Sequence, residues 1–112
     1  MVKIRGTIKI LEDIANRYGL RALFLDFTDT TLISKIGVSQ DIFIQIYANE
    51  KKDKINMALV VAGERVYGID KEGGFLHEHP FENPASHVDA TQIEIEDFVV
   101  KSLEHLKKMN IL

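Results

Sequence analysis

Between residues 20 and 69 the chain offers five short β-rich runs separated by turns too brief to hold a crossover helix. Parallel neighbours need a connection of about a dozen residues or more, so runs joined this tightly must pair antiparallel, each with the next. The runs are Leu20 to Phe27, Thr31 to Val38, Ile42 to Tyr47, Ile55 to Ala62 and Arg65 to Ile69. Thr28-Asp29-Thr30 supplies the first turn, Asn49 to Lys54 a charged one, and Gly63-Glu64 a tight hairpin signal. The third run alternates imperfectly around Gln45, which predicts an outer face that is partly apolar and a candidate self-association surface or partner groove.

Helical periodicity flanks the strands. Ile4, Ile8, Leu11, Ala15 and Tyr18 recur at steps of three and four, which predicts a helix over 5–18 with these residues on its core face. Lys9, Glu12, Asp13, Asn16 and Arg17 fill the opposite face. Thr7 could cap a slightly later start, and Gly19 stands where a left-handed residue closes a helix. A second stripe of Ile95, Phe98, Val99, Ser102, Leu103, Leu106 and Met109 predicts a helix over 93–109. Thr91 with Glu94, or Glu94 itself, could cap its start, Lys107 and Lys108 suit its negative end, and Asn110 suits the position just past it. His105 falls off the stripe and is expected to be solvated. The fold class is therefore α+β, a five-stranded antiparallel meander packed against an N-terminal and a C-terminal helix, in one domain spanning 1–112.

Composition narrows function mainly by exclusion. The formal net charge of −3 gives no long-range reason for tight nucleic-acid binding, although a local basic patch would suffice. With no cysteine there is no disulfide framework, thiolate zinc site or cysteine nucleophile, which fits a cytoplasmic protein. The first residues, Met-Val-Lys-Ile-Arg-Gly, lack the apolar core of a signal peptide, and no apolar run approaches the length of a membrane span. Abundant Lys and Glu with no Cys or Trp lean toward a thermophile's composition.

The chemistry concentrates in Tyr67 to His87, which holds three of the four histidines, His77, His79 and His87, and both prolines, Pro80 and Pro84. If residues 77–79 are extended, both imidazoles of His77 and His79 point to one side and Glu78 to the other. Asn83-Pro84 could turn His87 back toward them. Three readings stand open. His77, His79 and His87 could ligate a metal with an open position for water. His77 and His79 could instead work without metal, one taking a proton from a hydroxyl and the other returning one to a leaving group, as cleavage of an RNA phosphodiester requires. That reading needs cations for the phosphate, and Arg65 and Lys71 lie just upstream. Asp70 could then orient one imidazole tautomer, or simply cap a turn. The third reading makes the segment structural, with Phe75 and Phe81 covering the sheet. Gly73-Gly74 matches no phosphate-binding fingerprint, and no cofactor is expected.

The order Arg65-Val-Tyr-Gly, Asp70, Phe75-Leu-His77-Glu-His79-Pro80-Phe81-Glu-Asn-Pro84 and His87 resembles the TumE-like family of small prokaryotic toxins from type II toxin–antitoxin modules. Those proteins carry a meander with an Arg-x-Asp-Asn step and then a Pro- and His-rich segment ending in His-x-His. The layout is similar over roughly residues 20 to 106, and specific residues match from Arg65 to His87. The chain departs from the pattern where Tyr67-Gly-Ile separates Arg65 from Asp70 and where Lys71 replaces Asn; early aromatic and basic residues are also thinner. The resemblance implies a toxin whose target is RNA and whose partner is a cognate antitoxin protein. On this reading His77, His79 and Asp70 form the catalytic group, and Arg65, Lys71 and His87 bind substrate. A homodimer is also among the expected partners, and a membrane is not.

Overall fold

The computed structural model describes residues 2–72, 75–79 and 91–112, with residues 75–79 and 91–93 described through their backbone. The elements run α1 (Ile4–Tyr18), β1 (Arg21–Phe27), β2 (Thr31–Ser39), β3 (Ile42–Asn49), β4 (Lys54–Val61), β5 (Glu64–Glu72), β6 (Phe75–His79) and α2 (Thr91–Lys108). The expected α+β meander between two helices is present: β1 to β5 pair antiparallel in chain order. A sixth strand extends it. The histidine segment, expected as a loop, pairs antiparallel with β5 over Phe75–His79.

Strand alternation gives the sheet two unlike faces. Leu32 and Ile36 of β2, Ile44, Ile46 and Ala48 of β3, Ile55, Met57 and Leu59 of β4, and Tyr67 and Ile69 of β5 are all buried. They form one core with Ile4, Leu11, Ile14 and Ala15 of α1 and with Ile95, Phe98, Val99 and Leu106 of α2. The helices therefore cover one face, α1 over β1 and β2 and α2 over β4. Tyr67 anchors the contact with α2. Its ring stacks on Phe98 with centroids 4.9 Å apart and meets His105 at 4.7 Å. His105 is thus half-buried against an aromatic ring, contrary to the solvated position its place off the stripe suggested. Aromatic contacts of this kind contribute about 0.5–1.5 kcal/mol beyond area burial.

Local chemistry fixes the element ends. Lys3 is the first residue outside α1 and offers no side-chain cap; Thr7, instead of capping, is buried and donates from Oγ1 to Lys3 O at 2.7 Å. Gly19 closes the helix in the left-handed region at φ 67, as expected of a C-terminal glycine. Asn110 does the same past α2 at φ 60. The β4–β5 turn centres on Ala62 and Gly63, both at positive φ, the pattern of a primed hairpin turn. Away from the sheet, Arg17 grips Glu96 with two bonds, Nη1–Oε2 at 3.0 Å and Nη2–Oε1 at 2.7 Å, and Tyr18 donates its hydroxyl to the same carboxylate at 2.8 Å. Arg17 and Tyr18 hold the Glu96 carboxyl down at about 2. This cluster ties the two helices together at the surface.

No described helix is long and apolar enough to cross a membrane.

Candidate functional site

The face not covered by helices carries the candidate chemistry. Cross-strand register sets its rows. One runs Asp26, Ile33, Tyr47, Asn56, Asp70 and ends at the position of His77. The next runs Phe24, Lys35, Gln45, Ala58, Gly68 and ends at the position of His79. Residues directly opposite on neighbouring strands lie about 4.5–5.5 Å apart at Cα, so Asp70 and His77 are backbone neighbours although six residues separate them in sequence.

Arg65 reaches the second row by a local device. A register shift between Leu59 and Val60 carries the β4 pairing from Tyr67 to Arg65. The Arg65 stem then lies over Gly68: a Cβ built there would sit 3.3 Å from Arg65 Cδ and 3.2 Å from Met57 O. Gly68 therefore gives the arginine its seat, directly opposite His79. Arg65 itself is exposed.

Two polar groups, Tyr47 and Asn56, line the first row next to Asp70. Tyr47 is half-buried, and its hydroxyl accepts from Asn49 Nδ2 at 3.1 Å. Asn56 pairs with both Tyr47 and Asp70 in register, and its Oδ1 is buried with no hydrogen-bond partner among the described residues. Buried acceptors left unmade cost about 1–3 kcal/mol, and this one lies opposite Asp70, which is itself opposite the position of His77 on the next strand. Asn56 was invisible to a reading centred on histidines. The signal was its place as the lone amide among Ile55, Met57, Ala58 and Leu59.

Lys71 does not belong to this group. It has the strand parity of Tyr67 and Ile69 and is buried on the helix-covered face, with Nζ 3.2 Å from Glu94 Oε1. A lysine sealed against a carboxylate of α2 is not placed to meet substrate. Nor does Asp70 end its strand as a turn cap would; it is half-buried two residues inside β5.

The partly apolar outer positions expected on the third run, Phe43 and Tyr47 among them, are half-buried. Among the described residues the large apolar side chains left exposed are instead Phe24, Leu25 and Phe27 of β1 and Ile33 of β2, with Met109 and Leu112 at the other end of the chain. Lys35 Nζ lies over two rings of the open face, 5.7 Å from Phe24 and 5.0 Å from Phe43.

His77 and His79 are placed through backbone register, while Gly73-Gly74, Pro80, Phe81, Asn83-Pro84 and His87 lie outside the described residues. Among the described residues no group of three or more His, Cys, Asp or Glu could hold a metal ion; the candidate metal set of His77, His79 and His87 falls outside that search. The chain matches no family model, no curated protein and no solved structure.

Proposed function

We propose that this chain is a toxin-type protein that cleaves RNA by acid–base chemistry on the β5–β6 ribbon and is neutralised in the cell by a partner protein. The observation that carries the reading is the ribbon's register. Asp70 lies opposite His77, and Gly68, with Arg65 laid across it, lies opposite His79. Three of the residue types such a cleavage needs are thus neighbours on two adjacent strands.

In the proposed reaction one imidazole takes the proton of the ribose 2′-hydroxyl as the 2′-oxygen bonds to phosphorus. The other gives a proton to the departing 5′-oxygen as its bond to phosphorus breaks. The Arg65 guanidinium meets the extra negative charge on the phosphorane, a role its planar fork suits. Asp70, opposite the position of His77, serves to orient the tautomer of one imidazole. Asn56 Oδ1, buried and without a partner among the described residues, offers a second acceptor in the same row. On this reading His87 is a further phosphate-binding residue. Lys71 has no part, since it is committed to Glu94.

The test is induced expression of the wild type beside a His77→Ala/His79→Ala double variant, following growth and total RNA. Growth arrest with RNA loss in the wild type alone supports the reading. A double variant as toxic as the wild type sinks it, and so does a wild type that leaves RNA intact.

A further inference from the structure

At the edge of the sheet opposite β6, β1 presents an outer side with which no described residue pairs. Edge strands in soluble proteins are usually kept short or defended by charge, proline or a bulge, because unpaired strand edges recruit other strands. β6 has five residues, whereas β1 has seven, of which Phe24 is 47 %, Leu25 47 % and Phe27 54 % exposed. A bulge interrupts β1 at Leu23, yet among the described residues β1 carries three of the exposed large apolar side chains. Beside it a groove of about 50 Å³ opens between strand and helix, lined by Ile8, Leu11, Ala15, Ala22, Leu25 and Ile36. We propose that this edge binds β1 of a second copy of the chain, joining two sheets into one across a two-fold axis.

The choice of occupant rests on register and charge. Pairing with β2 assigns each β1 residue a face. Ala22, Leu25 and Phe27 lie opposite Ile36, Ser34 and Leu32 of the helix-covered face, and Arg21, Phe24 and Asp26 lie opposite Gly37, Lys35 and Ile33 of the open face. A two-fold axis normal to the sheet makes the strands antiparallel and keeps each face on its own side. Open-face positions must then meet open-face positions. With the bulged Leu23 skipped in each strand, the register centred on Phe24 obeys this rule. It sets Arg21 opposite Asp26 of the partner subunit, twice by symmetry. Ala22 faces Leu25 of the partner subunit, over the groove, and the two Phe24 rings meet at the axis. Shifting the register one step either way sets Arg21, or Asp26, opposite Phe24 of the partner subunit and loses both charge pairs. One register of this symmetry therefore satisfies face, charge and groove together.

Half-exposed Leu and Phe side chains on both copies put the buried area at the small end of specific interfaces, about 1,200 Å² in all, the range of transient association. Sedimentation velocity over about 1 μM to 1 mM should follow the dimer's dissociation. Asp26→Arg sets like charges opposite at both ends, and about ten- to hundred-fold weaker association is expected. Arg21→Asp should do the same, and Arg21→Asp/Asp26→Arg should restore the wild-type affinity. Both positions of change, Arg21 and Asp26, carry exposed side chains, so unchanged melting curves certify the fold. A dimer that ignores Asp26→Arg, or a weakened one that the double exchange fails to rescue, overturns the proposal. A wild type that stays monomeric throughout also overturns it and leaves the edge to a strand from a different protein.

Discussion

Replacing Lys71 with Met would keep most of the side-chain volume and remove only the charge that faces Glu94. The two side chains are 3 % and 4 % exposed and 3.2 Å apart, so the carboxylate would stay in the core without its lysine. Breaking a buried pair from one side costs about 3–5 kcal/mol. Glu94 keeps a further interaction besides Lys71, and its protonation would limit the loss. From an ordinary glutamate value near 4.3, protonation at pH 7 costs about 3.7 kcal/mol, which caps the loss. We expect Lys71→Met to lose about 3 kcal/mol at pH 7 and its Tm to fall by roughly 12 °C for a domain of this size. Because the cap shrinks by about 1.4 kcal/mol per pH unit, most of the loss should be regained at pH 5. Lys71→Met/Glu94→Gln should recover much of it at every pH, since a buried neutral pair needs no counter-charge. Thermal melts by circular dichroism at pH 7 and pH 5 read all of this. A single variant that melts within about 2 °C of the wild type at pH 7 would refute the reasoning, and is what an exposed, substrate-facing lysine would give.

Gly37→Ala should destabilise by about 1–3 kcal/mol in denaturant titrations, because a Cβ there would sit 2.5 Å from both Ile42 O and Phe43 Cα and only backbone could move aside. Glu96→Gln should remove an acid-sensitive part of stability. Arg17 and Tyr18 lower the Glu96 carboxyl from its ordinary 4.5 to about 2, so its contribution is complete above about 4.5 and is lost as pH falls through about 2. The melting difference between Glu96→Gln and the wild type should accordingly be present at neutral pH and fade over that window. Gly68→Ala would set a Cβ 3.2 Å from Met57 O and 3.3 Å from Arg65 Cδ, so it should shift the Arg65 stem and lower RNA cleavage, read as growth inhibition and RNA loss on induction, with melting curves separating this from a loss of fold.

The helices and the first five strands were legible because each is written twice, in periodicity and in its end signals. Gly19 and Asn110 close their helices where left-handed residues were expected, and the turns at Thr28 to Thr30 and after Val61 fall where polar and glycine residues interrupt the runs. β6 was hidden because Phe-Leu-His-Glu-His has little of the β-branched composition of a strand, and its pairing is set by β5 rather than by its own residues. Ending the fifth run at Ile69 had a further consequence. Continued to Glu72, the alternation that buries Tyr67 and Ile69 also buries Lys71 and turns Asp70 to the open face, so one strand boundary misassigned Lys71. Gly68 as the seat of Arg65 and the orphan acceptor of Asn56 depend on neighbours from other strands, which no local pattern encodes.

The proposed site depends on the β5–β6 register, which cysteine pairing tests most directly, since the chain has no cysteine of its own. Residues opposite each other on antiparallel strands lie within disulfide range, whereas the next residue along presents to the other face. Asp70→Cys/His77→Cys should therefore oxidise to an intramolecular disulfide in the folded protein, and Asp70→Cys/Glu78→Cys should not. Cross-linking in the second variant and not the first would place His77 away from Asp70 and contradict the account.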